Sequence, residues 1–195
     1  MNIILASKSP RRQELMKLIT PFFSVDVPQN EENCPESVPL FSRPQYLAEQ
    51  KGKEVAARHN NAIVIAADTA VFYGDKMLGK PRDLDEARAM LKLLSGNTHT
   101  VITGCSIVCG DTVDSFSVST EVEFLPLSDE MVEEYLSYNE SMDKAGAYGI
   151  QGRGAVLVRG IRGDYFNVVG LPVCELNLHL RERFKALKRI KMQKI

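Results

Sequence analysis

No stretch of this chain reaches the roughly 18 consecutive apolar residues that mark a membrane-spanning helix. The apolar part of Met1-Asn-Ile-Ile-Leu-Ala-Ser-Lys8 is too short for a signal peptide and reads as a first strand. A cytoplasmic protein is therefore expected. Cysteine is sparse: Cys34, Cys105, Cys109 and Cys174 include no zinc-type CxxC pair. Cys105 and Cys109 fall on one side of an expected strand, about 13 Å apart at roughly 3.3 Å per residue. That separation is too long for a shared metal or a disulfide, so free, mostly buried thiols are expected. His59, His99 and His179 are scattered, and neither a His-based triad nor a zinc site is legible. A dominant charge is lacking too. Lys and Arg number 24 against 25 Asp and Glu, a net charge of -1, which argues against general electrostatic binding of nucleic acid, local basic sites aside. With 195 residues, ordinary composition, no repeat and no linker, the chain is expected to form one domain over residues 1–195.

What is present alternates between strand and helix signals. Residues 3–6 read as a strand and Ser7-Lys-Ser9 as a turn. Pro10 then opens a helix with an apolar face of Leu15, Leu18 and Ile19. Residues 26–40 lack periodicity and read as loop. A second helix is expected over 44–58, a strand over 62–73 and a turn at Gly74-Asp75. Asp83 and Glu86 make a capping-box-like start to a helix whose inner face is Ala87, Met90, Leu91 and Leu94, ended by Gly96. Residues 99–109 and 114–125 read as an antiparallel pair joined near Gly110-Asp111. In the second, Phe116, Val118, Val122 and Phe124 alternate with polar residues, the pattern of a half-buried strand. Ser128 starts another helix, with Leu127 and Val132 as a hydrophobic staple. A Gly-rich segment, Ala145 to Gly154, leads into an expected strand over 155–159 and a hairpin around Arg162-Gly163-Asp164. Pro172 opens a last helix, and the basic tail Lys188–Lys194 reads as solvated or frayed rather than as a nucleic-acid arm, the alternative its charge leaves open. The expected class is α/β: a single domain with a central mixed, twisted sheet flanked by helices, in two lobes around a substrate cleft.

Five features bear on chemistry. Asp68 lies within the most apolar run of the chain, Ala62 to Tyr73, where an ionised carboxylate is costly without compensation. It either caps a turn or pairs with a buried cation, or it belongs to a site. Ser7-Lys-Ser-Pro-Arg-Arg12 places two arginines in a first helical turn, where they oppose the helix dipole unless an anion offsets them. Hydroxyls, free N–H groups and guanidinium forks there suit a phosphate chain, unless the arginines bend away to surface acids. Lys51 shares an apolar stripe with Leu47 and Val55, so it snorkels to solvent or turns inward. Gly74-Asp-Lys-Met-Leu-Gly-Lys-Pro81 nearly matches a P-loop but ends in Pro, leaving no hydroxyl for magnesium; it is rejected as one, although Lys80 can still reach phosphate. Asp143-Lys-Ala-Gly-Ala-Tyr-Gly-Ile-Gln-Gly-Arg-Gly154 permits close ligand approach, with Asp143, Lys144 and Gln151 as acceptor, cation and amide, or is an ordinary Gly-rich hairpin. Acids at Glu31, Glu32 and Asp68 with these cations point to metal-assisted phosphoanhydride cleavage.

Leu5-Ala-Ser-Lys-Ser-Pro-Arg-Arg12, Leu47-Ala-Glu-Gln-Lys51, Ala67-Asp-Thr69, Leu78-Gly-Lys-Pro81, Leu94-Ser-Gly96, Asp143 to Gly152 and Val169-Gly-Leu-Pro172 occur in order. Together they resemble the Maf family of nucleoside-triphosphate pyrophosphatases almost end to end. The resemblance implies a fold like that of inosine triphosphate pyrophosphatases, hydrolysis of a nucleoside triphosphate to monophosphate and pyrophosphate, a divalent cation (Mg²⁺ or Mn²⁺) and a homodimer. By position, Asp68 is similar to the family's proton acceptor, and Ser7, Arg12, Lys51 and Lys80 to its phosphate-binding set. Glu32, or Glu31, matches the acid expected to hold metal with Asp68. Arg11, Thr69 and Gln151 match the specificity positions of the subgroup acting on dTTP and UTP. Asn30-Glu-Glu-Asn33, where a more acidic run is common, and Gly52, where Ala is usual, depart from the pattern. The family's historical name, septum-formation inhibitor, carries a second reading: a nucleotide-binding regulator acting through partners. Neither reading calls for a membrane or nucleic acid as partner.

Overall fold

The computed structural model describes residues 2–30 and 33–182. The chain divides into two compact units. The first takes the chain up to Asp68, Thr103–Val118, and the chain from Gly170 onward; the second takes Thr69–Ile102 and Ser119–Val169.

In the first unit, β1 (Asn2–Leu5) pairs in parallel with β2 (Ser24–Val25) and with the start of β3 (Ala62–Tyr73), Ile3 opposite Ile63 and Leu5 opposite Ile65. Parallel neighbours need crossovers. α1 (Pro10–Ile19) and α2 (Arg43–Ala56) supply them. Every residue of Ala62–Ala67 is buried, as expected of a parallel strand covered on both faces. One cluster of this core joins Ile4, Val64 and Ala66 to Val55 of α2 and Val108. Each large aliphatic side chain so buried contributes about 1.5–3 kcal/mol. Ser9 caps α1 by accepting from the Arg12 N–H, and Pro10 takes the first helical position. The buried face of α1 is Leu15 and Met16, whereas Leu18 is exposed. Of the expected face, Leu15 is buried and Ile19 half-buried; Leu18 alone is misplaced, with Met16 buried instead. After Pro172, α6 (Val173–Glu182) buries Leu176 and Leu180. His179 holds this helix to the sheet: its Nδ1 lies 2.7 Å from Asp114 Oδ2 and its ring stacks on Phe116.

In the second unit the end of β3 turns back into β4 (Lys76–Leu78), Val71 opposite Leu78. α3 (Leu84–Leu94) starts at Asp83, which accepts from the Glu86 N–H at 2.8 Å, and buries Ala87, Met90, Leu91 and Leu94. α4 (Asp129–Ser137) is capped by Ser128 and buries Val132. β5 (Thr98–Cys109) and β6 (Thr112–Phe124) each begin or end here, and β7 (Val158–Arg162) pairs antiparallel with β6. The sheet order is β2-β1-β3-β5-β6-β7, with β4 on β3, so the sheet is mixed as expected.

Three readings need correction. Residues 152–157 form a 3-10 segment, and the strand expected over 155–159 begins only at Val158. Gly152 at φ +67 folds the chain back there before a ladder can start. The hairpin expected around Gly163 is a strand-to-helix turn: Gly163 at φ +128 leads into α5 (Tyr165–Val169), and Asp164 accepts from the Phe166 N–H at 2.8 Å. The thiols were expected to be mostly buried, but only Cys105 is; Cys34 and Cys109 are half-buried, Cys109 at a strand end, and Cys174 is exposed on α6. The tail Lys188–Lys194 lies outside the described residues.

Candidate active site

Asp68 and Thr69 interrupt the burial of β3: both are half-buried, between fully buried Ala67 and buried Ala70–Phe72. Lys51 reaches it from α2, with Nζ 2.6 Å from Asp68 Oδ1. Their side chains are only 12% and 17% exposed, so Lys51 turns inward rather than snorkelling. Withdrawing a carboxylate from water costs several kcal/mol, and an ammonium at contact distance offsets that. The Lys51 pairing is thus real. It also leaves a carboxylate and a cation side by side midway along a largely buried strand, an arrangement that a phosphate ligand can exploit.

Arg12 is bound into the backbone beneath this pair. Its Nε donates to Gly170 O at 2.9 Å and its Nη1 to Ala67 O at 2.7 Å. It thereby fixes the residue before Asp68 and the Val169–Pro172 stretch. Ser7, buried, accepts from the Ser9 N–H at 3.2 Å, which shapes the turn into α1. Arg11 and Arg12 lie in a first turn with no acid. The first unit therefore holds Ser7, Arg11, Arg12, Lys51 and Asp68; among them the contacts shown are Lys51 with Asp68 and Arg12 with the carbonyl of Ala67, the residue before Asp68.

The second unit holds Thr69, Lys80 and Gln151. Lys80 is exposed just past β4, which pairs antiparallel with the end of β3. Gly146 donates its N–H to Gly79 O at 3.0 Å, tying the Gly-rich segment to the turn that carries Lys80. Gly146 takes φ +69, and a Cβ there would stand 3.1 Å from Val71 Cγ1, so the residue type is dictated by both conformation and space. Lys144 is not a free cation: its Nζ sits 2.7 Å from Asp143 Oδ1. Gln151 is exposed. The segment's supports were missed in the sequence. Tyr135 Oη accepts from the Gly149 N–H at 3.2 Å, and Tyr148 Oη lies 2.7 Å from His99 Nε2. Tyrosines inside apolar helix faces and glycine loops carry no marker that separates a tether from a core residue.

The family model of Maf-like proteins matches residues 2–183. The chain belongs to the Maf-like family. Its relatives include the dTTP/UTP pyrophosphatase of Bacillus velezensis, 47% identical over 180 residues that cover 92% of this chain and 95% of that protein. Another is the dTTP/UTP pyrophosphatase of Clostridioides difficile, 47% identical over 186 residues, covering 94% and 96%. Among solved structures, the Staphylococcus aureus Ham1 protein matches at a TM-score of 0.46 and 18% identity, over 65% of this chain and 73% of that one.

For a metal in this Maf-like chain the donor set is narrow. Among the described residues no three His, Cys, Asp or Glu side chains group into a metal cage. Asp68 offers a hard carboxylate oxygen, and Glu31 and Glu32 lie outside the described residues. One or two carboxylates completed by phosphate oxygens and water is the usual way Mg²⁺ is held with a nucleotide, and Asp68 fits that mode. Among the described residues no helix is long and apolar enough to cross a membrane.

Proposed function

We propose that this chain hydrolyses dTTP and UTP, with related modified pyrimidine nucleotides, to the monophosphate and pyrophosphate. The observation that carries the reading is the Lys51–Asp68 pair, largely withdrawn from solvent in the middle of β3. The relatives named dTTP/UTP pyrophosphatase support the substrate class, because their similarity runs through more than nine-tenths of this chain. Asp68 takes the proton of the water that attacks the α-phosphorus. The new P–O bond forms from that water, the bond to the bridging oxygen breaks, and pyrophosphate leaves with the electron pair. A triphosphate competing for Lys51 frees Asp68 Oδ1 for this task, which makes the resting ion pair a store for the base rather than an obstacle to it. Ser7, Arg12 and Lys80 are the remaining phosphate-binding groups, and Arg11, Thr69 and Gln151 select the base. A divalent cation held by Asp68, with Glu32 or Glu31, would neutralise phosphate charge and acidify the attacking water.

Pyrophosphate release is the test, from dTTP, UTP, CTP, ATP, GTP, 7-methyl-GTP and 5-methyl-UTP, with Mg²⁺, Mn²⁺ or chelator. Cation-dependent release selective for dTTP and UTP is expected. Asp68→Asn is expected to lower turnover by about 10²–10⁴-fold, the usual contribution of a positioned general base, with the circular dichroism spectrum unchanged. A folded Asp68→Asn variant with wild-type rates would remove Asp68 from the chemistry. Tight nucleotide binding with no release from any of them would favour the regulator.

A further inference from the structure

Ala147 takes φ +61 within the Gly-rich segment. The left-handed region costs a residue with a Cβ roughly 1–2 kcal/mol and persists where surroundings over-determine it. Three anchors do so here: Gly146 N–H to Gly79 O, Gly149 N–H to Tyr135 Oη, and Tyr148 against His99. The third is the unusual one. His99, on β5, is 2% exposed and lies edge-on to Phe124 and Tyr148, at ring separations of 5.0 and 5.3 Å. Its Nδ1 is buried with no hydrogen-bond partner. An unpaired buried polar atom costs about 1–3 kcal/mol, and a phenylalanine would pack in the same space without it. What the imidazole adds is one bond, to Tyr148. Burial pushes its pKa down to about 4, so near pH 7 the ring is neutral and shares a single proton between donor and acceptor roles.

We propose that His99 is a positioning residue for nucleotide choice: its bond to Tyr148 fixes the Gly-rich segment and so sets Gln151, three residues further on. The role of Gln151 rests on the pyrophosphatase reading; the anchoring rests on the geometry alone.

Wild type is compared with His99→Phe, Tyr148→Phe, the double variant and His99→Gln, each as the full chain. Amide hydrogen exchange reads the anchoring. Loss of one bond predicts exchange about tenfold faster over residues 146–154 in either single variant, unchanged in α3, and no faster in the double variant. Kinetics read the consequence. The kcat/KM ratio of dTTP to CTP is expected to fall about tenfold through KM, with kcat within about twofold, and His99→Gln to recover much of it. Should His99→Phe fail to fold, Tyr148→Phe carries the comparison, since it loses only a hydroxyl. Unchanged exchange overturns the proposal. Faster exchange with wild-type KM and selectivity makes the tether structural and overturns its role in nucleotide choice. A wild-type chain that releases no pyrophosphate overturns the activity reading, and nucleotide choice with it, while the exchange arm separately decides the anchoring.

Discussion

Asp68 and His99 both bring an ionisable group among apolar side chains, and each is compensated differently. Asp68 keeps Lys51 at 2.6 Å. His99 gives up its proton: burial lowers its pKa from 6.5 to about 4. The unfolded chain therefore binds a proton at this residue between about pH 6.5 and pH 4 while the folded chain does not, so stability falls as pH drops through that window. At pH 5 the loss from this one group is about 2 kcal/mol relative to pH 7.5. Carboxylates such as Asp26, held low by its hydrogen bond to His59, and Glu49, held low by Lys53, also lose stability on acidification, but they do so in variant and wild type alike. Urea unfolding of wild type and His99→Phe at both pH values is therefore expected to show a pH dependence smaller by about 2 kcal/mol in the variant. Equal pH dependence would mean that the folded imidazole titrates as it does in water.

At the scale of elements, the docking of α2 on β5 sets where Lys51 points, and two glycines permit it. A Cβ on Gly104 would overlap the backbone of Pro44 and Gln45 at the start of α2. Backbone cannot swing aside as a side chain can, so Gly104→Ala is expected to cost about 3 kcal/mol or more, or to leave the protein insoluble. Gly52 is tight but not closed: a Cβ there meets Val108 Cγ2 at 3.0 Å and Ser106 Oγ at 3.2 Å. Ala gains about 1 kcal/mol of helix propensity and loses a comparable amount to crowding, so Gly52→Ala is expected within about 1 kcal/mol of wild type. Urea midpoints of both variants decide the contrast; similar losses would refute the distinction between backbone and side-chain crowding. The same docking shows what a sequence can disclose. α2, β3 and α3 stand within two residues of their expected bounds, because each is long and strongly periodic. β2 and β4, of two and three residues, are too short for a period and exist only through their neighbours. In the site, the apolar run exposed Asp68 and the helix stripe exposed Lys51. Their pairing was not legible, since it depends on the approach of α2 to β3. Nor was the binding of Arg12 to the carbonyls of Ala67 and Gly170, which are 55 and 158 residues away in the chain.

For the whole molecule, the chain changes unit four times, and three of those crossings fall inside strands: at Asp68/Thr69 in β3, Ile102/Thr103 in β5 and Val118/Ser119 in β6. Neither unit is a contiguous stretch, and for that reason no linker or composition shift marked the division in the sequence. β3 pairs with β1 through Ala62–Ile65 and with β4 through Val71–Tyr73, so one continuous strand serves a ladder in each unit, and the chain is expected to unfold in a single transition. The tyrosines make this measurable. The chain has no tryptophan, and of its six tyrosines Tyr73, Tyr135, Tyr138, Tyr148 and Tyr165 belong to the second unit, with Tyr46 alone in the first. Tyrosine fluorescence therefore reports mainly on the second unit, whereas far-ultraviolet circular dichroism also sees α1, α2 and α6 of the first. Urea curves from the two probes are expected to coincide in midpoint and slope. A dichroism curve with a second step absent from the fluorescence would show the first unit folding independently, and would overturn the single-domain expectation.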